Sequence, residues 1–154
     1  MLKVNSKTLT KGDDYTVKYS SKTRINVGSY KVIVTLKGNY KGSKTVAYKI
    51  NPKGTSIKTL TPASKAITVK WNKRTTKMSS SRITGYQIQV ATNSKFTKNK
   101  KSVTVKGYSK VSKKVSKLKG DKKYYIHIRT YKVVNGVKHY STWSKVKTVK
   151  TEKE

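Results

Sequence analysis

The hydrophobic residues of this chain alternate with polar residues in short runs, with a period of two. In the run over residues 30–36, Tyr, Val, Val and Leu occupy every second position. Because the side chains of a strand point alternately to the two faces of a sheet, each such run predicts a half-buried β-strand. The same alternation recurs at residues 15–19, 46–50, 67–71, 86–90 and 124–128. No segment fits the period of a helix, so we predict an all-β fold.

Turn-forming residues separate these runs at intervals typical of β-sandwiches. Asn135-Gly136 predicts a two-residue hairpin, in which Tyr131 lies opposite Tyr140 and Ile128 lies opposite Trp143. Pro52 marks the best domain boundary, because proline cannot donate a hydrogen bond to a neighbouring strand. We therefore predict two tandem β-sandwich modules, an incomplete module of four strands over residues 1–52 and a seven-stranded module over residues 53–154.

The second module resembles a fibronectin type III domain over about residues 54–151. Trp71 ends an early strand, residues 85–90 match the third strand, and residues 140–144 match the last strand. Leu118 and Tyr124 have the spacing of the family's tyrosine corner. The resemblance implies a β-sandwich whose core contains Trp71, Tyr86, Leu118 and Tyr124.

The first module resembles the latter part of a bacterial immunoglobulin-like repeat found in surface proteins of Firmicutes. The matching segments are residues 9–17, 26–32 and 38–42. The family usually has another strand or two before the position of Leu2, so the resemblance implies that this chain is a piece of a longer protein. Four strands are marginally stable alone, and we expect this module to lean on its neighbour or to leave an open sheet edge.

Composition excludes several classes of function. The 154 residues contain no cysteine, which rules out disulfides, thiolate metal sites and a cysteine nucleophile. No run approaches the roughly 18 apolar residues of a membrane helix. The two histidines, His127 and His139, have no acidic residue near them in sequence, and His127 is expected to face solvent because Ile126 and Ile128 face inward. We predict no catalytic residue, no metal ion and no cofactor.

Charge is the strongest chemical signal. The chain has 38 Lys and Arg against 5 Asp and Glu, a net charge of +33, and 34 of its cations are lysines. A purely solvated surface normally mixes both signs, so a surface that attracts polyanions is an equally good interpretation. Lysine is densest over residues 95–123, which predicts a polyanion patch of twelve lysines: Lys95, Lys98, Lys100, Lys101, Lys106, Lys110, Lys113, Lys114, Lys117, Lys119, Lys122 and Lys123.

A second candidate surface consists of aromatic side chains beside a cation. Tyr125, Arg129 and Tyr131 share the outward face of one predicted strand, and Tyr140 lies on its partner. Exposed aromatic rings on a basic sheet can stack on sugars or bases. Cross-strand tyrosine pairs can equally well serve only to stabilise the hairpin, which is the interpretation we favour.

Together these observations favour a non-catalytic spacer or adhesive segment of a secreted or cell-surface bacterial protein. Its expected partners are the neighbouring domains of a longer chain and anionic polymers (teichoic acid, nucleic acid, sulfated glycans), bound by non-specific electrostatics. We expect a monomer. Two alternatives remain: a dedicated polyanion binder, and a carbohydrate-binding accessory module of an exported glycoside hydrolase.

Overall fold

A computed structural model describes residues 2–21, 25–75 and 82–153. Within these ranges the chain forms antiparallel β-strands and turns, without a helix, so the all-β prediction is confirmed. It follows that no described helix is long or apolar enough to cross a membrane. The chain divides into two compact units, Met1–Ile50 and Asn51–Glu154.

The first unit has a short hairpin and a three-stranded sheet. Its strands are β1 (Lys3–Val4), β2 (Lys7–Thr8), β3 (Tyr15–Tyr19), β4 (Gly28–Leu36) and β5 (Ser43–Ile50). The sheet has the order β3-β4-β5, and β1 pairs only with β2 among the described residues. Four strands were predicted here, and the fifth arises because the N-terminal run folds back on itself at Asn5 and Ser6, both with positive φ.

The second unit has eight strands in two sheets. They are β6 (Ile57–Ala63), β7 (Ala66–Trp71), β8 (Gly85–Ala91), β9 (Lys101–Lys106), β10 (Ser112–Val115), β11 (Lys123–Val134), β12 (Val137–Tyr140) and β13 (Lys147–Lys150). One sheet has the order β10-β7-β6. The other has the order β12-β11-β8-β9, with β13 also paired to the long strand β11. Strands β12 and β13 therefore share the place of one predicted strand, the seventh.

The predicted hairpin register is correct at its tip and wrong further along. Asn135 and Gly136 have φ values of 48° and 77°, as a two-residue turn requires. Tyr131 lies opposite Tyr140, as predicted. Trp143, however, does not lie opposite Ile128.

An extra residue between Ser141 and Ser144 causes this shift. The N–H of Ser141 donates to the Thr130 carbonyl, but the next donor along the chain, the N–H of Ser144, reaches the Ile128 carbonyl. Three residues on one strand therefore match two on the other. The shift turns Trp143 away from the core and ends β12, because the intervening residues leave the regular ladder.

The core of the second unit lies between its two sheets. Trp71, Tyr86 and Tyr124 are buried, and the rings of Trp71 and Tyr86 lie 5.1 Å apart. The hydroxyl of Tyr124 accepts a hydrogen bond of 2.9 Å from the Lys119 N–H, which satisfies the polar end of this side chain. Leu118, expected in the core, is only partly buried and packs against its edge.

Candidate functional site

A row of stacked side chains covers the outer face of the five-stranded sheet. On β11 the inward Ile126 and Ile128 leave the intervening His127 on the opposite face. Its imidazole lies between two rings, with centroid distances of 3.6 Å to Phe96 and 3.9 Å to Trp143. The rings are nearly parallel, with interplanar angles of 6° and 9°. The imidazole Nε2 also lies 3.0 Å from Oε1 of Gln89 on the adjacent strand β8.

Arg129 continues the row beyond Trp143. Its guanidinium carbon lies 4.2 Å from the centroid of the Trp143 ring and 3.7 Å from that of Tyr140. The Nε of Arg129 donates a 2.8 Å hydrogen bond to Oε1 of Gln87. The Tyr140 ring in turn lies 6.1 Å from the Tyr131 ring. We call this row the aromatic ladder; its members are Phe96, His127, Trp143, Arg129, Tyr140 and Tyr131.

Two expectations about this face were wrong. His127 was expected at the surface, but only 8% of it is exposed, and Tyr131 of the candidate aromatic face is 4% exposed. The reason is that Phe96, from the loop after β8, and Trp143, displaced by the register shift, cover this face of β11. Arg129 and Tyr140 are half-buried within the ladder. Tyr125 is half-buried outside it, with the Lys123 ammonium 5.6 Å from its ring centroid.

Burial perturbs the titration of three members of the ladder. Burial, followed by the charge of Arg129, lowers the pKa of His127 from 6.5 to about 4. Burial also lowers the pKa of Arg129. The pKa of Tyr131 is raised, first by burial and second by Tyr140. At neutral pH the histidine is therefore uncharged, which lets it lie beside the arginine without repulsion.

The ladder offers little aromatic surface to a ligand. Both faces of Trp143 are covered, one by His127 and the other by Arg129. One face of Tyr140 is occupied by the same guanidinium. Ring faces that are stacked within the protein cannot stack on a sugar or a base. The arrangement holds the chain after β12 against β11, and this is a stabilising role.

The twelve lysines of the predicted polyanion patch lie in three parts of the second unit. Eleven are exposed, whereas Lys101 is half-buried and its ammonium donates to the Ser116 carbonyl. The loop between β8 and β9 carries Lys95, Lys98 and Lys100, and the connection from β10 into β11 carries Lys117, Lys119, Lys122 and Lys123. The other four lie on the edge strands β9 and β10 or between them: Lys106, Lys110, Lys113 and Lys114.

Two of the five acidic side chains, Asp121 and Asp14, have structural partners. Asp121 forms an ion pair of 2.6 Å with Lys150. Asp14 accepts a 2.8 Å hydrogen bond from the Thr10 N–H, which is the capping role expected of an aspartate in a turn. The described residues contain no cluster of three or more His, Cys, Asp or Glu side chains that could hold a metal ion.

One polar cavity was not anticipated from the sequence. It has a volume of about 480 Å³ and is lined by Gly54, Thr55, Ser56, Asn72, Lys73 and Arg74. The guanidinium of Arg74 donates to the Gly54 carbonyl through both Nε and Nη2. This cation therefore holds two segments of the unit together, and its donors on that side are not free to bind an anion.

Solved structures share this architecture. The fn3 domain of human contactin 1 aligns with a TM-score of 0.54 and 18% identity over 69% of this chain and 83% of that one. The chain has a fibronectin type III-like fold. A crystal structure of the FN1–FN3 domains of chicken CNTN1 aligns with a TM-score of 0.52 and 21% identity, over 82% of this chain but 42% of that one. At these identities the fibronectin type III likeness concerns the fold alone.

A redesigned β-sandwich protein gives a similar result. It aligns with a TM-score of 0.50 and 17% identity, over 67% of this chain and 93% of that one. No family model and no curated protein matches the sequence. The β-sandwich prediction is confirmed for the fibronectin type III-like part, and the function has to be argued from the surface of this chain.

Proposed function

We propose that this chain is a non-catalytic spacer segment of a secreted or cell-surface bacterial protein, with a cationic surface that attracts polyanions without selecting among them. The fibronectin type III-like fold is compatible with such a module. The observation that carries the proposal is the placement of the lysines. Of the twelve lysines in the densest segment, eleven are exposed, and these lie on edge strands, in loops and at turns.

Electrostatics supplies the attraction. Residues 53–154 carry 27 basic and 3 acidic side chains, a net charge of +24. The field of such a surface draws any polyanion toward it, and binding releases the counterions condensed on the polymer. A lysine ammonium is a compact point charge that lacks the planar, bidentate donors of arginine. It therefore neutralises phosphate or sulfate without selecting for the geometry of the anion.

The ladder supplies mechanical strength. A spacer carries tension along its chain, which tends to peel the C-terminal strands β12 and β13 away from β11. Here Tyr140 of β12 and Trp143 in the connection to the last strand, β13, are held against β11 by Arg129 and His127. Peeling would have to separate these stacked groups as well as the backbone hydrogen bonds.

The bacterial setting rests on the resemblance of the first unit to immunoglobulin-like repeats of surface proteins. Teichoic acids of the cell wall would then be the most abundant polyanion nearby. Nucleic acid and sulfated glycans would be attracted by the same field. This part of the proposal is tested by the sequence of the complete gene, in which a signal peptide or wall anchor is expected.

A dedicated polyanion binder is the second candidate, favoured by one observation. Strands β9 and β10 are both edge strands, and the short connection between them carries lysine as well. Their exposed lysines form a group, which we call the edge lysines: Lys106, Lys110, Lys113 and Lys114. The carbohydrate-binding alternative has no such support, because Tyr131 is buried and one face of Tyr140 is covered by Arg129, which leaves only the half-buried Tyr125.

A comparison of two charge-reduced variants distinguishes these candidates. One replaces the four edge lysines by Gln, and the matched control replaces four exposed lysines from other parts of the second unit: Lys58, Lys138, Lys145 and Lys153. Binding to DNA, heparin and teichoic acid is measured across a range of salt concentrations. For the spacer we expect equal losses in both variants and a dissociation constant no tighter than about 10⁻⁶ M at physiological salt.

A dedicated site predicts a different pattern. The edge variant alone would lose binding, and one polymer would be preferred about a hundredfold, which is roughly 2.7 kcal/mol. Preference for a single polyanion that persists at physiological salt would overturn the proposal of unselective attraction.

A further inference from the structure

The sheet of the first unit has an apolar face that is incompletely covered. Its three strands direct alternate side chains to this face. Nine apolar or tyrosine side chains there are half-buried or exposed: Tyr15, Val17, Tyr30, Val32, Val34, Leu36, Val46, Tyr48 and Ile50. In the second unit, by contrast, the corresponding positions of β8 and β11 are almost all buried. A sheet face of this kind normally packs against another layer.

A cavity of about 330 Å³ opens on this face. Its apolar walls come from the β1–β2 hairpin region and from the sheet: Leu2, Val4, Val34, Leu36 and Val46. Val46, on β5, is 44% exposed. Lys41 and Lys44 also line the cavity, and no acidic side chain does.

The backbone edge of β5 is open beside this cavity. Among the described residues β5 pairs only with β4. At the start of this pairing the Leu36 N–H donates to the Gly42 carbonyl, which makes Leu36 and Gly42 a bonded pair. Antiparallel partners alternate between bonded and non-bonded pairs, so the even-numbered residues of β5 bond to β4. The odd-numbered residues direct their N–H and C=O groups outward: Ser43, Thr45, Ala47 and Lys49. All four are exposed.

We propose that β5 is a docking edge for an extended acidic segment of another protein, in which acidic and apolar residues alternate. The backbone of this segment would extend the sheet as a fourth strand, and its apolar side chains would cover the face around Val46. With its apolar side chains on the face of Val46, its acidic side chains would lie on the opposite face of the sheet, which carries Lys49 of β5 and Lys31 of β4. This docking edge is in the first unit and does not rest on the polyanion binding proposed for the second.

Charge selects this occupant over a second copy of the chain. Residues 1–52 carry 11 basic and 2 acidic side chains, and Asp14 is already engaged as a cap. Two copies pairing through β5 would bring Lys44 and Lys49 of each close to those of the other, and like charges facing each other destabilise a sheet. An acidic strand instead places opposite charges beside Lys49.

The test uses the full chain and an end-blocked peptide in which Glu and Val alternate, long enough to span β5. The decisive variant is Ala47→Pro, which removes an N–H that points away from β4 and so leaves the existing sheet paired. Its matched control is Ala47→Val, which adds bulk but keeps the N–H. At an ionic strength of about 0.15 M we expect the Pro variant to bind about five- to tenfold more weakly and the Val variant to bind like the native chain.

Hydrogen exchange and a second peptide complete the test. The N–H groups of Thr45 and Ala47 are expected to gain protection when the peptide binds. A peptide with Ser in place of Val keeps the charge and is expected to bind several-fold more weakly. Three outcomes would each contradict the proposal that β5 is a docking edge. They are equal binding of the two peptides, an unchanged affinity of the Pro variant, and self-association of the chain through β5. None of these outcomes depends on whether the second unit binds DNA or heparin selectively.

Discussion

The imidazole of His127 lies parallel to the indole of Trp143, with 3.9 Å between their centroids and 9° between their planes. This contact joins the middle of β11 to the segment between β12 and β13, where the sheet's backbone pairing is interrupted. The stack therefore compensates for a gap in the backbone ladder. The strength of the stack depends on the protonation of His127. Arg129 lies on the other side of Trp143, so a protonated imidazole would place a second positive charge near the guanidinium.

The first prediction is a loss of stability at mildly acidic pH. The pKa of His127 is about 4 in the folded chain and 6.5 in its ordinary state, so between these values only the unfolded chain binds the proton. Stability should fall as the pH drops from 6.5 to 4 and become level below that. The contribution of His127 to this fall is at most about 3.4 kcal/mol, at 1.36 kcal/mol per pKa unit.

Denaturant titrations of native and His127→Phe proteins at several pH values measure this contribution. Phe keeps a flat ring between Phe96 and Trp143 but cannot be protonated. The difference in unfolding free energy between the two proteins should therefore change between pH 6.5 and 4. A difference that is independent of pH would mean that burial does not control this histidine.

The second prediction concerns the planarity of Arg129. Arg129→Lys keeps the charge but loses the flat group that lies against both Tyr140 and Trp143, and it loses the Nε donor to Gln87. We expect a loss of about 1–2 kcal/mol in unfolding free energy, the range of a partly desolvated cation–π contact. Lys114→Ala, at an exposed position on β10, is the control and should be nearly silent. Equal effects of the two substitutions would show that Arg129 is only a surface charge.

The strand pattern of the second unit could be predicted because alternation is local. Trp71, Tyr86 and Tyr124 each lie at inward positions of a period-two run, and the structure buries all three. The same rule placed His127 on the outer face, which is correct. It could not show that this face is covered, because the cover comes from Phe96, which lies in a distant loop.

The position of Trp143 escaped prediction for a related reason. Counting outward from Asn135-Gly136 assumes one residue for one residue along the hairpin. The extra residue before Ser144 has no sequence signal of its own, yet it reverses the direction of Trp143. A second shift of one residue precedes β13, where Tyr124 lies opposite Val149. The clustering of Lys95–Lys123 in sequence is a weaker guide still, since connections separate these lysines into three parts of the unit.

The third prediction concerns the core at Trp71. This residue is 2% exposed and packs against Tyr86, so Trp71→Ala should cost about 3–5 kcal/mol. Its indole Nε1 is buried without an acceptor among the described residues. Trp71→Phe removes that donor together with some volume, and we expect it to cost less than half as much as the Ala substitution. Chemical denaturation measures both values, and similar losses would show that the donor is satisfied.

The fourth prediction compares two glycines that are required for different physical reasons. Gly136 has a φ of 77°, and a Cβ added there would meet no atom within 4 Å. Only backbone strain opposes a side chain at this position, so Gly136→Ala should cost about 1 kcal/mol and Gly136→Val more. Lys138→Ala, two residues further on, keeps the turn and should be nearly silent.

At Gly85 the lack of space, rather than the backbone conformation, excludes a side chain. A Cβ added there would lie 2.1 Å from the carbonyl oxygen of Val105 and 3.0 Å from the Tyr131 ring. That oxygen belongs to the backbone of β9, so it can move away only if the pairing of β8 with β9 opens. Gly85→Ala should therefore destabilise the second unit by more than Gly136→Ala does, by about 3 kcal/mol or more, the upper range for single substitutions. Because the strain falls on the β8–β9 pair, hydrogen exchange in Gly85→Ala should rise first along β9, whereas in Gly136→Ala it should rise along β12. The reverse order of stabilities would mean that β9 yields easily and that this edge is held more loosely than the contact implies.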